Sequence, residues 1–194
     1  QPPYYLQLQM PEQAVPRFSL TTTFAPVNRQ TLAAFMSVDS DPGANYGQFA
    51  AQLRSLGYKG EIVSFEPLAR YRERLEVDAE ADGNWRFYPL ALGGRDDELE
   101  LTVSSSDDFS SLHETNALGE SRFGEMMHSV SKEMVSVKTL DGLWEEIIKN
   151  PGRKILLKTD TQGHDLEVLR GGSKALAEIC TVVAEISFQP IYKI

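Results

Sequence analysis

The chain has 194 residues, 41% hydrophobic and 24% charged, with a formal net charge of −9. That is the size of one domain with ordinary globular composition, which excludes a disordered, collagenous or coiled-coil chain. The acidic balance leaves no sheath of Lys and Arg to displace counterions from nucleic acid or to grip an anionic membrane surface, so neither is an expected partner.

Residues 1–31 read as a Pro-rich N-terminal arm, because Pro2, Pro3, Pro11, Pro16 and Pro26 interrupt any regular element. The arm shows no charged start ahead of an apolar core, and no apolar run reaches the roughly 18–20 residues that span a bilayer, so a cytoplasmic protein is expected. From residue 32 a βα rhythm begins. LAAFMSV (32–38) is a strand, DPGANYG (41–47) a turn and QFAAQLRSLGY (48–58) a helix. EIVSFEP (61–67) is a second strand stopped by Pro67, and LARYRERLEVDAEA (68–81) a charged helix. WRFYPLAL (85–92) reads as a third strand and ELELTVSS (98–105) as a fourth with one wet face. Residues 104–131, rich in Ser, Gly and charge, read as a long loop with helical pieces. VSVKTL (135–140) is a short strand, DGLWEEIIKN (141–150) a helix capped by Asp141, and KILLKTD (154–160) a buried strand. HDLEVLRGG (164–172) is a helix stopped by glycines and TVVAEIS (181–187) a last strand. Cys180, the single cysteine, lies in an apolar run without a CxxC or Cys/His cluster, so a buried, inert thiol is expected and structural zinc is not. Buried strands alternating with helices predict an α/β fold: a doubly wound, mostly parallel, Rossmann-like sheet.

Ligands of such sheets bind beyond the carboxyl ends of the strands, where strand order reverses. The loop after the first strand, Asp41-Pro42-Gly43-Ala44-Asn45-Tyr46-Gly47, sits there. Its glycines permit a tight turn and close backbone approach. A dinucleotide loop wants G-x-G-x-x-G, but Asn45 stands where the second glycine belongs and Asp41 would repel a phosphate. An acid at Asp41 suits an ammonium instead. Glu66 follows Gly43 by 23 residues, near the spacing of about 20 at which an acid meets ribose hydroxyls. Asp160 ends a strand at the same edge, and Lys158, deeper on the same face, is placed to pair with a carboxylate. His164 and Asp165 open the next helix, and Glu185 interrupts an apolar strand. His113 and His128 fall in the polar 104–131 stretch and read as surface histidines. Metal-ligand spacing is absent, although Asp160 with Glu185 is a carboxylate pair of the kind that holds a divalent ion.

DPGANYGQFAAQLRSLGYKGEIVSFEPL, WRFYPLALG, VKTLDGL, ILLKTDTQGHDLEVLRGG and VVAEISFQPIY, in that order across residues 33–192, resemble the FkbM-type methyltransferases. The resemblance implies an S-adenosylmethionine-dependent enzyme, a class I methyltransferase fold, and O-methylation of a sugar or other small-molecule hydroxyl. It implies that Asp41, Gly43, Ala44, Asn45 and Gly47 surround the methionine part of the cofactor and that Glu66 holds the ribose. Ala91 and Leu92 would lie beside the adenine, Ser110 and Ser111 near the cleft, and Asp160, Gln162 and Gly163 near the transferred methyl. Asp160 and His164 are the candidate bases, with Glu185 and His128 behind them. The chain departs from the family at Val38-Asp39-Ser40, at Pro42 and at His164. It also stops at Ile194, where the resemblance implies a further helix and an antiparallel strand pair. A C-terminally truncated domain is therefore expected, with an exposed sheet edge open to homodimer formation. Two other readings stay open: a non-catalytic, methyltransferase-like scaffold, and a nucleotide-dependent oxidoreductase.

Overall fold

The structure, a computed structural model, describes residues 31–36 (backbone only), 47–105, 109–149, 154–184 and 189–193. In chain order the elements are β1 (Thr31–Met36), α1 (Gln48–Ser55), β2 (Ile62–Phe65), α2 (Ala69–Asp82), β3 (Trp85–Tyr88), β4 (Ala91–Leu92) and β5 (Asp97–Ser104). They continue with α3 (Ala117–Phe123), β6 (Ser129–Lys138), α4 (Leu140–Ile147), β7 (Lys154–Thr159), α5 (Asp165–Gly171) and β8 (Thr181–Ala184).

Five strands form one parallel sheet in the order β3-β2-β1-β7-β8. Strand order therefore reverses at β1, and every strand presents its carboxyl end to the same edge. The chain alternates around this sheet because its strands carry apolar side chains on both faces. Ile62 packs with Ala50 of α1 and Tyr71, Leu75 and Ala79 of α2, whereas Val63 and Phe65 pack with Leu140 and Ile147 of α4 and Val168 of α5. The period-2 strand thus feeds two cores at once.

Local chemistry sets the helix ends. Gly47 caps α1 with φ 76, and a Cβ there would lie 2.4 Å from Cη2 of Trp85. The missing side chain of Gly47 is therefore a packing requirement of Trp85. At the other end of α1, Arg54 grips Asp82 bidentately (Nε–Oδ2 2.6 Å, Nη2–Oδ1 2.8 Å) and donates to the carbonyls of Tyr58 and Gly60. Both side chains are largely buried, the setting in which a planar two-point contact orients best. Arg86 of β3 does the same for α4, donating to the carbonyls of Glu146 and Ile147 at its C-terminus.

Several expectations are corrected. The single strand over 85–92 is two: Pro89 has no N–H to donate, so the ladder stops at Tyr88, and β4 joins a separate sheet. That sheet, β4-β6-β5, pairs β6 parallel to β4 and antiparallel to β5. The strand expected over 135–140 starts at Ser129, because pairing with β5 organises the polar SVSKEM stretch that has no apolar alternation of its own. The N-cap of α4 is Thr139, whose Oγ1 accepts from the Gly142 N–H at 3.1 Å. Asp141 instead reaches across to accept from the amides of Lys174 and Ala175, capping the short 3-10 turn Ala175–Ala177. Cys180 is exposed, because it precedes the edge strand β8 whose outer side has no neighbour among the described residues.

Candidate functional site

The strand ends put two of the expected carboxylates at one edge. Glu66 follows β2 directly and is 1% exposed, and its Oε1 accepts from the Leu68 amide at 2.9 Å. Asp160 follows β7 directly and is 7% exposed. Its Oδ2 lies 3.0 Å from Lys158 Nζ, the pairing expected of two residues on one strand face, and its Oδ1 accepts from Gln162 Nε2 at 3.3 Å. The loop after β7 is strained. Gln162 takes φ 48, unusual for a side chain, and is followed by Gly163 at φ 93. Three contacts hold Gln162 there: its amide on Asp160, the Tyr192 hydroxyl donating to its Oε1 at 2.9 Å, and Ser111 Oγ donating to its carbonyl at 2.8 Å. Backbone strain at the carboxyl edge, pinned by buried polar groups, is characteristic of functional loops.

His164, the N-cap position of α5, is 8% exposed. Its Nδ1 is 3.1 Å from Nε2 of His113, 51 residues earlier in the chain. This corrects the reading of His113 as a surface histidine: the ring is half-buried and stands against His164, with ring centroids 5.2 Å apart. Burial, then the neighbouring His113, pushes the His164 imidazole down to about 4, while Glu167 pulls the other way. His113 is also lowered, by burial. Asp165 moves oppositely: burial raises it, against the Thr159 and Thr161 hydroxyls. His128 is exposed at the start of β6.

The histidine pair has a consequence for stability. Both imidazoles prefer the neutral form when folded, so between pH 6.5 and about 4 the unfolded chain takes up protons that the native pair resists. Stability should therefore fall as pH drops through that window, by up to about 3 kcal/mol for His164. Urea unfolding at pH 7 and pH 4.5 checks it. His164→Asn, which keeps a good N-cap residue, should lose less than the parent; equal losses would remove the histidine from the account.

Other expected site residues fall as follows. Ala91 and Leu92 are buried with their side chains in the two main cores. Ser110 and Ser111 are both buried, Ser110 Oγ accepting from the Ser104 amide. Asp41, Gly43, Ala44, Asn45 and Glu185 lie outside the described residues. Gln48, immediately after the loop, keeps its side-chain oxygen buried without a partner among the described residues. Tyr192 and His113 were missed from sequence: each lies in a stretch without apolar period, and only the fold brings them to the loop after β7. Among the described residues no group of three or more His, Cys, Asp or Glu is arranged to hold a metal, and no helix is long and apolar enough to cross a membrane.

Two family models match the chain. One, an uncharacterised protein family (UPF0182), covers residues 1–55; the other, the methyltransferase FkbM domain, covers residues 41–194. A UPF0182 protein of Streptomyces coelicolor is 54% identical over 48 residues, 24% of this chain and 5% of that protein. A UPF0182 protein of Rhodococcus opacus is 47% identical over 103 residues, 48% of this chain and 10% of that one. The chain thus spans a tenth or less of the length of these curated relatives. Among solved structures, a methyltransferase FkbM from Methylobacillus flagellatus is similar with TM-score 0.43 and 14% identity, over 77% of this chain and 30% of that one. With the FkbM domain matched over most of its length, the chain belongs to the FkbM methyltransferase family.

Proposed function

We propose that this domain binds S-adenosylmethionine at the carboxyl edge of its parallel sheet and passes the methyl group to a hydroxyl of a small molecule or sugar. The observation that carries the proposal is the placement of two buried carboxylates, Glu66 and Asp160, after β2 and β7 on either side of the strand where the order reverses. In this reading the sheet is a doubly wound, Rossmann-like cradle.

The residues fit the cofactor. Glu66 offers an acceptor where a nucleoside's vicinal hydroxyls belong, and the Gln48 oxygen, buried without a partner among the described residues, is one more acceptor beside the loop. Asp41, Gly43, Ala44, Asn45 and Gly47 would take the amino-acid end, and the backbone of Ala91 and Leu92 the adenine. When bound, the sulfonium supplies the methyl group. The protein's part is to hold the acceptor oxygen in line, which supplies much of the rate, and to take its proton. Asp160, already engaged by Lys158 and Gln162, serves as a fixed charge at that edge. His164, neutral across the physiological range, is the base. A protonated ether is a far stronger acid than imidazolium, so a weak base suffices provided it starts deprotonated.

Titration calorimetry of S-adenosylhomocysteine into the protein tests this. Micromolar binding is expected, with no heat from NADH. Glu66→Gln keeps an acceptor for the Leu68 amide but loses the charge, and should weaken binding about tenfold or more. A folded protein that gives no heat with S-adenosylhomocysteine overturns the proposal and leaves a non-catalytic domain. The same reading puts the protein in the cytoplasm, with a second copy able to pair along β8, where Val182 is exposed.

A further inference from the structure

We infer that Tyr192 is a positioning residue: from the C-terminal segment it holds Gln162 in its left-handed conformation and, through the Gln162 amide, sets Asp160 at the carboxyl edge of the sheet. Only the assignment of that edge to a cofactor rests on the methyl-transfer reading above.

Residues 190–193 run as a strap beside α3, and Asn116 fastens it. The Asn116 backbone amide donates to the Ile191 carbonyl at 3.0 Å. Its Nδ2 donates to the Pro190 carbonyl at 2.7 Å and to the Tyr192 carbonyl at 3.1 Å. The same side chain caps α3, its Oδ1 accepting from the amides of Leu118 and Gly119. Lys193 adds a backbone bond to the Glu114 carbonyl at 2.7 Å and an ion pair with the Glu114 carboxylate at 2.8 Å. Gly119 lets the strap come this close, because a Cβ there would lie 2.5 Å from the Ile191 carbonyl oxygen. Tyr192 packs with Phe109 and Met127 in a third, small core, with Phe123 and Ile191 at its margin.

From this side two groups reach the loop after β7, and both bind the same residue. Ser111 Oγ donates to the Gln162 carbonyl at 2.8 Å, and the Tyr192 hydroxyl donates to Gln162 Oε1 at 2.9 Å. The tyrosine ring also covers Gly163, where a Cβ would meet Cδ2 at 3.1 Å. Gln162 and Tyr192 are 6% and 5% exposed, so water does not substitute for these bonds. The amide is oriented from both ends. Asp160, paired with Lys158, offers an acceptor, so Gln162 turns Nε2 towards it and presents its oxygen to the tyrosine hydroxyl. Left-handed backbone is disfavoured for a residue with a side chain, so Gln162 keeps its φ of 48 only while such contacts act together. Asn116, the strap, Gln162 and Asp160 thus form one line of contacts from the start of α3 to the sheet edge.

The full chain, labelled with 15N, tests this through the side-chain amide of Gln162, assigned by its absence in Gln162→Met. Tyr192→Phe keeps the ring and removes the hydroxyl; the amide signals should move and exchange with water about tenfold faster or more. Asn116→Asp keeps the α3 cap but loses both side-chain donations to the strap. It should move the same signals, although the bonds it removes are to Pro190 and Tyr192 and not to Gln162. Urea unfolding gives a second reading. Tyr192→Phe should lower the midpoint in the parent and shift it much less in a Gln162→Gly background, where glycine accepts the backbone and no amide remains to be held. Unmoved Gln162 signals in either variant, or equal midpoint shifts in the two backgrounds, would mean that Tyr192 only packs, and overturn the inference. If Gln162→Gly does not fold, the amide signals decide. None of these readings uses a cofactor, and S-adenosylhomocysteine binding by the parent is read separately, so a failed methyl-transfer reading and a failed strap give different results.

Discussion

Replacing Gly171 with alanine is expected to cost at least about 3 kcal/mol, the upper part of the range for overpacking, and to leave the chain unable to fold cooperatively at physiological temperature. A Cβ at Gly171 would lie 1.9 Å from the Gly93 carbonyl oxygen, 3.0 Å from its carbonyl carbon and 3.3 Å from Gly94 Cα. All three are backbone atoms, so no side chain can rotate away. The Gly93 side is less tight but still closed: a Cβ there would sit 2.7 Å from Val137 Cγ1. Helix α5 and the strand end after β4 therefore approach through glycine alone, and that approach sets His164 and the loop after β7 against the sheet edge. Gly57→Ala is the control. Nothing lies within 4 Å of a Cβ there, and only its φ of 86 resists, so a loss of about 1 kcal/mol is expected. Thermal and urea unfolding of both variants checks the pair. A Gly171→Ala protein as stable as the parent would mean that α5 does not pack as described.

A chain trimmed to begin at Asp41, the limit of the FkbM match, is expected not to fold at all. The trim removes β1, which pairs with β2 from Ala33 to Met36 and with β7 from Thr31 to Phe35. A lost edge strand exposes one row of backbone groups. A lost central strand splits the sheet, orphans two rows and uncovers apolar side chains in both cores. The consequence is specific to this chain: β1 lies inside the UPF0182 match and outside the FkbM match, so the central strand of the methyltransferase sheet comes from the segment that resembles the other family. The two matches overlap over residues 41–55, which take in the whole of α1, so they meet within one βα unit. Circular dichroism and amide dispersion of chains starting at residues 31 and 41 separate the cases. Native dispersion from the shorter chain would show that β1 is dispensable to the sheet.

Much of this architecture is legible from residues alone, for a local reason. Apolar runs such as EIVSF and KILLK declare strands, and Tyr71, Leu75 and Ala79 share one helix face, because period 2 and period 3.6 are properties of a single segment. A carboxylate at the end of a buried strand is equally local. For that reason Glu66 and Asp160 are placed at one sheet edge, and Lys158 is given a carboxylate partner, from sequence alone; that the partner is Asp160 comes from the structure.

What the sequence leaves open is decided by neighbours far along the chain. Pro89 is visible, but that β4 leaves the parallel sheet depends on pairing with β6, Ala91 with Val137 and Leu92 with Lys138, far along the chain. Asp141 has the chemistry of a helix cap; it caps a different turn because Thr139 occupies the nearer position and the Ser173 hydroxyl and the Lys174 and Ala175 amides come within reach. Cys180 reads as buried from its apolar surroundings, and is exposed because β8 is the last strand of the sheet among the described residues. His113 sits in a polar stretch with no period, and no spacing rule joins it to His164. Local pattern determines which segments become strands and helices and which residues stand at their ends. Only the tertiary structure decides which of those ends meet, because a contact such as that between His113 and His164 depends on the packing of whole elements.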